Sequence, residues 1–357
     1  MVITDAWMGG ATGFVVVLLV VPFLGVLARR WILFDPTGPL KIHTQPIPRI
    51  GGLALILALF IGTMISKVGH LVPATFWLAL LWVGVVGLIE DVRGLHAATR
   101  LLMQAGAALL LCSGGWRVPL FHAPALNVVT ACLFLVASMN AFNFLDGADG
   151  VAAGVTALIA VGYLLMPGGV ANGDFGGVLA WVLLGSCLSF FLFNFPPAKI
   201  FMGDCGSTTL GFATAFLGLN FCRAADSSGP RILLPVMLSG LPLLDLGLAV
   251  LRRLRKGVSP FSGDRQHFYD LLLTRGMSPG RVALTCCGVS AAFQAAGLLG
   301  ARNSWAIALP IYSLAIVAFL ITAIRLGSLC TTDRGSSTYV PFCQAHLPAS
   351  DPEKTES

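Results

Sequence analysis

Charge is what this 357-residue sequence has least of: Asp, Glu, Lys and Arg together make up 11% of it, against roughly 25% in a soluble globular chain. With 56% hydrophobic residues and a mean hydropathy of +0.86, the composition excludes a water-soluble globule and reads as an all-α polytopic membrane protein. The nine cysteines have no metal-ligand spacing and fall mostly inside apolar runs, so they read as small packing residues. The first apolar run follows Asp5 rather than a basic cluster and has no A-x-A-like exit, so it reads as a retained span and not a cleaved signal peptide. There is no visible internal repeat, which weighs against the repeat-built transporter folds.

What is there is a succession of apolar runs. At about 20 residues per span, they predict about eleven transmembrane helices, near 7–28, 50–66, 73–89, 99–114, 124–141, 150–167, 177–193, 207–222, 231–251, 282–300 and 306–325. These form one integral-membrane domain over residues 1–326; the Ser, Thr, Pro and Asp-rich remainder, 327–357, reads as a disordered tail. Lys and Arg accumulate on the cytoplasmic side of membranes. All of the 22 basic residues except Lys67, Arg117, Arg223, Arg231 and Arg302 fall in one set of alternating loops or the tail. That asymmetry predicts an N-terminus outside and a C-terminus in the cytoplasm.

The same set of loops carries the acids. Carboxylates at the ends of membrane helices are costly and usually mark an ion or substrate site. In Asn140-Ala-Phe-Asn143-Phe-Leu-Asp146-Gly-Ala-Asp149-Gly150, polar groups recur every third residue, a spacing that puts neighbours in the series on one helix face. A solvated, helix-capping turn is the alternative, since Asp and Gly are ordinary turn residues. Gly203-Asp204-Cys205-Gly206-Ser207 opens the eighth run, where free N–H groups and the helix dipole favour a bound phosphate that Asp204 could bridge through Mg²⁺. Pro196-Pro197-Ala198-Lys199 before it fixes a loop and supplies a cation. Glu90-Asp91 ends the third run, with Arg93 as a nearby countercharge. Lys41, His43 and Arg49, and Arg265 with His267, add cations suited to a diphosphate or an anionic lipid headgroup; Arg252, Arg253, Arg255 and Lys256 read mostly as a topology signal.

In order, Lys-x-His-x4-Pro-Arg-x-Gly-Gly (Lys41 to Gly52), Glu90-Asp91, Asn-x2-Asn-x2-Asp-Gly-x-Asp-Gly (Asn140 to Gly150), Ala-Lys-x-Phe-Met-Gly-Asp-x-Gly-Ser (Ala198 to Ser207), Pro-Leu-Leu-Asp (Pro242 to Asp245) and Asp-Arg-x-His (Asp264 to His267) resemble the polyprenyl-phosphate N-acetylhexosamine-1-phosphate transferases of glycosyltransferase family 4. The resemblance runs from about residue 40 to 276. It implies transfer of N-acetylhexosamine-1-phosphate, most simply GlcNAc-1-phosphate, from a UDP-sugar to undecaprenyl phosphate, releasing UMP. That reaction initiates cell-envelope polysaccharides such as O-antigen. The resemblance further implies Mg²⁺, or Mn²⁺ in its place, held by Asp204, Asp146 and Asp149. By the same token Glu90, Asp91, Asp146, Asp149 and His267 are the candidate catalytic residues, while Lys41, His43, Arg49, Asn140, Asn143, Lys199 and Arg265 would bind substrate. Membrane lipids are expected partners, a homodimer is allowed for, and no nucleic acid is expected. Two departures stand out: the acidic pair begins with Glu90 instead of Asp, and a family His-x-His-His becomes His267-Phe268-Tyr269-Asp270, which argues against a peptidoglycan-precursor substrate. A cation- or proton-coupled transporter and an intramembrane aspartyl protease are the alternative readings. The first wants acids near mid-membrane, where only Asp245 lies, and the second wants two aspartates facing each other within helices.

Overall fold

The computed structural model describes residues 3–31, 34–35, 47–66, 72–166, 175–224 and 229–329. Its elements are α1 (Ile3–Trp31), a two-residue pair β1 (Phe34–Asp35) and β2 (Ile47–Pro48), α2 (Gly51–Ile65), α3 (Ala74–Arg93), α4 (Ala97–Ser113), α5 (Pro124–Leu145), α6 (Val151–Leu165), α7 (Phe175–Asn194), α8 (Gly203–Ala224), a 3₁₀ turn (Pro230–Leu233) leading into α9 (Leu234–Leu238), then α10 (Gly240–Arg255), α11 (Phe268–Leu273), α12 (Pro279–Ala301) and α13 (Trp305–Arg325). A helix stands at each of the eleven expected positions, and the short α11 was not foreseen. Six of the helices, α1, α3, α5, α7, α12 and α13, are long and apolar enough to cross a membrane; the bent pair at 230–255 makes a seventh if it is one span. The apolar α2, α4 and α6 are only 15, 17 and 15 residues long.

Helix α8 is the axis of the bundle, with α2, α3, α5, α6, α7 and α9 packed around it. From Gly203 to Cys222 every residue is buried. Because its neighbours shield it from lipid, α8 needs less hydrophobicity than a lipid-facing span, and it carries buried Ser207, Thr208, Thr209, Thr214 and Asn220. Small residues let neighbours approach: a Cβ on Gly52 would lie 2.3 Å from the Gly206 nitrogen, so α2 meets the first turn of α8 backbone to backbone. Large apolar side chains such as Leu19, Leu102, Leu133 and Leu314 point outward, as a lipid-facing surface requires.

The span expected at 231–251 is bent by 73° between α9 and α10. Pro242 has no N–H for the Leu238 carbonyl one turn earlier, so the helix cannot run through. Gln294 of α12 makes good the loss, donating Nε2 to Leu238 O at 3.0 Å. A freed backbone group inside an apolar bundle needs such a partner. At the far end, Gly327 (φ 91°) ends α13, and Ser328 is buried beside α10 with its carbonyl accepting from Arg252 at 2.6 Å. Residues 327–329 of the expected tail are thus placed against the bundle, and residues 330–357 lie outside those described.

Candidate active site

The acids gather where α3 ends, α5 ends and α8 begins. Gly203 has φ 70°, and a Cβ there would lie 2.6 to 2.9 Å from the Asp91 carboxyl, so glycine is required on both counts. This lets Asp91 cap α8: its Oδ1 accepts from Asp204 N at 2.8 Å and its Oδ2 from Cys205 N at 3.0 Å. The expectation of free N–H groups awaiting a phosphate is thereby corrected. α8 starts four residues earlier than expected, and a carboxylate of the chain itself fills the anion position at its first turn.

Asp204 projects from that turn. Its Oδ2 accepts from Arg49 Nη2 at 2.6 Å and its Oδ1 from Asn143 Nδ2, while Asn143 also reaches Ser207 Oγ at 3.2 Å. Arg49 Nε lies 3.1 Å from Asp91 Oδ1, so one guanidinium joins both acids. Arg49 is held there by backbone: Phe201 N donates to Pro48 O, and Gly51 N and Gly52 N donate to Phe201 O and Met202 O, zipping its segment to the approach to α8. Opposite, Asn194 Oδ1 accepts from Gly150 N and its Nδ2 donates to Ile200 O, tying the Asp149-Gly150 turn to the 195–202 loop. Asp149 Oδ2 accepts from Ala198 N at 3.0 Å, and Lys199 is exposed beside it.

Asp146 is half-buried at the end of α5, and no hydrogen-bond donor among the described residues engages its carboxyl. Burial first, then the charges of Asp204, Asp91 and Asp149, push its pKa well above the carboxylate range, with Arg49 opposing. No three carboxylate, imidazole or thiol groups among the described residues stand close enough to enclose a metal ion. The chemistry of the donors nevertheless fits Mg²⁺, which takes one or two carboxylates and completes its shell with water and substrate phosphates. Asp146, whose ionisation Asp204, Asp91 and Asp149 all disfavour, is where a dication would relieve the most repulsion.

Two candidates stand apart from this cluster. Asn140 donates to Gln104 Oε1 at 2.6 Å and to Val136 O at 2.8 Å, facing α4. Three residues turn a helix by about 300°, so the one-face reading drifts with each step, and α5 ends before Asp146. Glu90 likewise turns to α4, where its Oε1 accepts from Arg100 Nη1 at 2.6 Å. Lys41 and His43 lie outside the described residues.

His267 belongs to a network with Asp245 at its root. Asp245 Oδ2 is 2.7 Å from His267 Nδ1, and its Oδ1 accepts from Phe268 N at 2.9 Å. The acid inside an apolar span is thus consumed in anchoring the loop before α11, against the transporter reading. Asp91 and Asp204 do stand on two helices, but Arg49 bridges their carboxyls and Asp91 caps α8, an arrangement at odds with the protease reading. Burial disfavours the imidazolium, but the Asp245 hydrogen bond and the charges of Asp245, Asp270 and Asp264 outweigh it, leaving the His267 pKa raised. Arg252 and Arg253 are not mere topology signals. Both are buried, with Arg252 Nε donating to Asp264 Oδ2 at 2.7 Å and Arg253 Nη2 to Oδ1 at 3.2 Å. Burial raises the Asp264 pKa, yet the Arg252 bond and both guanidinium charges prevail and lower it. Arg253 also stacks over Phe144, which touches the His267 ring, so the network abuts the turn carrying Asp146. Arg265 is exposed on the same loop. A lone carboxylate in an apolar run demands a partner, and here the partner of Asp245 comes from the Asp264 to His267 motif.

Similarity agrees with the geometry. The sequence model of glycosyl transferase family 4 matches residues 73–221, which hold Glu90, Asp91, Asn143, Asp146, Asp149 and Asp204. A decaprenyl-phosphate N-acetylglucosaminephosphotransferase of Mycobacterium tuberculosis (strain CDC 1551 / Oshkosh) is 34% identical over 328 residues, covering 80% of this chain and 81% of that protein. Undecaprenyl-phosphate alpha-N-acetylglucosaminyl 1-phosphate transferases are similar too: that of Yersinia pestis is 29% identical with 81% and 82% covered, and that of Escherichia coli (strain K12) 29% identical with 76% and 77% covered. With one relative above 30% identity over four fifths of its length, and with the motif acids brought together at one end of the bundle, this polytopic membrane protein belongs to glycosyl transferase family 4, among the polyprenyl-phosphate N-acetylhexosamine-1-phosphate transferases.

Proposed function

We propose that the chain transfers N-acetylhexosamine-1-phosphate, with GlcNAc as the sugar, from its UDP donor to undecaprenyl phosphate or a similar polyprenyl phosphate. UMP leaves, and the lipid-linked sugar starts a cell-envelope polysaccharide such as O-antigen. The reaction takes place at the cytoplasmic face of the inner membrane, with about eleven crossings and the N-terminus outside. The observation that carries this reading is the gathering of Arg49, Asn143 and Asp91 on Asp204 beside an unbonded Asp146.

The acceptor is a phosphate monoester whose second pKa is about 6, so at neutral pH it is already largely a dianion and an obligatory base is unnecessary. The harder task is bringing two anions together. Asp146, with Asp149 and Asp204, would hold Mg²⁺, which when bound would neutralise charge on the donor diphosphate and the departing UMP. Arg49 adds the cation of the chain itself: it is 39% exposed and able to exchange a carboxylate partner for a phosphate. Asn143 orients Asp204, and the Asp245-anchored loop brings His267 and the exposed Arg265 to the same face. Purified protein with undecaprenyl phosphate, Mg²⁺ and a panel of UDP-sugars, assayed for UMP, tests the reading. Release is expected with UDP-GlcNAc or a related UDP-HexNAc and to depend on the lipid; no lipid-dependent release with any sugar would sink it.

A further inference from the structure

Glu90 and Asp91 adjoin in sequence, but one residue turns an α-helix by about 100°, and the two carboxyls serve different partners. Asp91 faces the first turn of α8 and Arg49, whereas Glu90 faces α4 and bonds Arg100, the two side chains being 10% and 18% exposed. Beside this pair lies a small cavity lined in part by Trp82, Gly87, Glu90, Arg100, Gln104 and Thr208. Three of these residues each hold a buried polar atom that no protein group satisfies: Glu90 Oε2, Arg100 Nε and Gln104 Nε2. One acceptor and two donors are the set that a single water satisfies, receiving from Arg100 and Gln104 and donating to Glu90. Gln104 Oε1 in turn accepts from Asn140. Asn140 stands one helical turn before Asn143, which grips Asp204. The polar chain thus runs from α3 through α4 to α5, and each end adjoins a group bonded to the Asp204 residue: Asp91 at one, Asn143 at the other.

We infer that Glu90 is a positioning residue: with Arg100, Gln104 and one bound water it fixes the ends of α3 and α5, so that Asp91 and Asn143 meet Asp204 in register, and its own carboxyl stays off the reacting atoms. The inference deepens the transferase reading and rests on it. With one oxygen on Arg100 and the other buried beside the small cavity, Glu90 is spent on scaffolding, and the larger reach of Glu than Asp is what lets it meet α4.

The test is a double-mutant cycle of Glu90→Gln and Arg100→Gln, read by turnover and by melting temperature. Each single change leaves a buried charge without its counter-ion, whereas the pair of amides can still bond. Each single variant is expected to lose about tenfold or more in kcat with KM for both substrates within about twofold, and the double variant to recover to within about threefold of wild type. A double variant no faster than Glu90→Gln would assign Glu90 to the chemistry and overturn the proposal; so would single variants with wild-type kcat, which would leave the pair a fold support only. Melting temperature must follow the same pattern, falling in the singles and returning in the double, and additive shifts would overturn the network. That arm needs no turnover, so coupled melting in a protein that releases no UMP would sink the transferase reading and not the network.

Discussion

Asp204 is the residue on which the site converges, and most of what holds it was illegible in the sequence. The Gly203-Asp204-Cys205-Gly206-Ser207 run marks the place, but Asp91 is 113 positions away from the backbone N–H it caps and Arg49 is 155 away from the carboxylate it pairs with. No local pattern encodes such pairings. Asn140 shows the opposite error: a regular spacing invited a shared face, and the rotation of the helix sent the amide to Gln104 instead. Asp204→Asn should retain the fold, because its carbonyl oxygen can still accept from one of the two donors, Asn143 or Arg49, and Arg49 keeps its pair with Asp91. It loses the charge and the ligand strength that a Mg²⁺-bound diphosphate needs, so kcat should fall by roughly three orders of magnitude, equivalent to about 4 kcal/mol of transition-state stabilisation. Turnover near wild type in a variant with unchanged helical circular dichroism would remove Asp204 from the metal site.

Among the elements, the segment from Arg252 to His267 departs furthest from its sequence reading. A basic cluster after a span is what topology alone would produce, and the residues that distinguish this one, Asp245 and Asp264, lie one on each side of it. Its electrostatics make a pH prediction. Asp264 is depressed below its usual 3.8, so its contribution is present above that value and lost as pH falls through the lower folded pKa; His267 is raised above its usual 6.5, so its contribution is complete below 6.5 and lost as pH rises through the higher folded pKa. Asp245, Asp270 and Asp264 favour the imidazolium, while Arg252 and Arg253 oppose it from the same network. The Asp264 and His267 contributions are both complete between about pH 4 and 6.5, while Asp270, pushed up to about 6 by burial, has finished ionising in the fold only above that value. Hydrogen exchange of residues 257–268 should quicken as pH rises from about 6 to 9, beyond the intrinsic base catalysis seen in an unstructured peptide of that sequence. Protection constant over that range after this correction would contradict the raised His267 pKa.

At the scale of the molecule, helix positions were legible because apolar runs of span length are hard to hide, and α8 was placed despite its polar residues because polar neighbours on both sides bounded it. Which helices cross the membrane is a separate matter, since α2, α4 and α6 are short and α9–α10 is bent. The basic-residue asymmetry predicts residue 330 in the cytoplasm and the 166–177 segment outside. A reporter fused after residue 330 should therefore behave as cytoplasmic and one inserted in 166–177 as periplasmic. A reversed signal at 330 alone would mean a miscounted crossing, and at both sites it would put the acids on the face away from UDP-sugars. The tie from Arg252 to the Ser328 carbonyl bears on how the protein is made. Arg252 is buried and shares Asp264 with the loop that carries His267, yet one of its bonds waits for the last helix to emerge from the ribosome and fold back. A chain cut short before residue 328 would keep the Asp245 and Asp264 ties to that loop but leave a buried guanidinium N–H of Arg252 without its acceptor, so the loop should form and yet be held less firmly than in the longer chain.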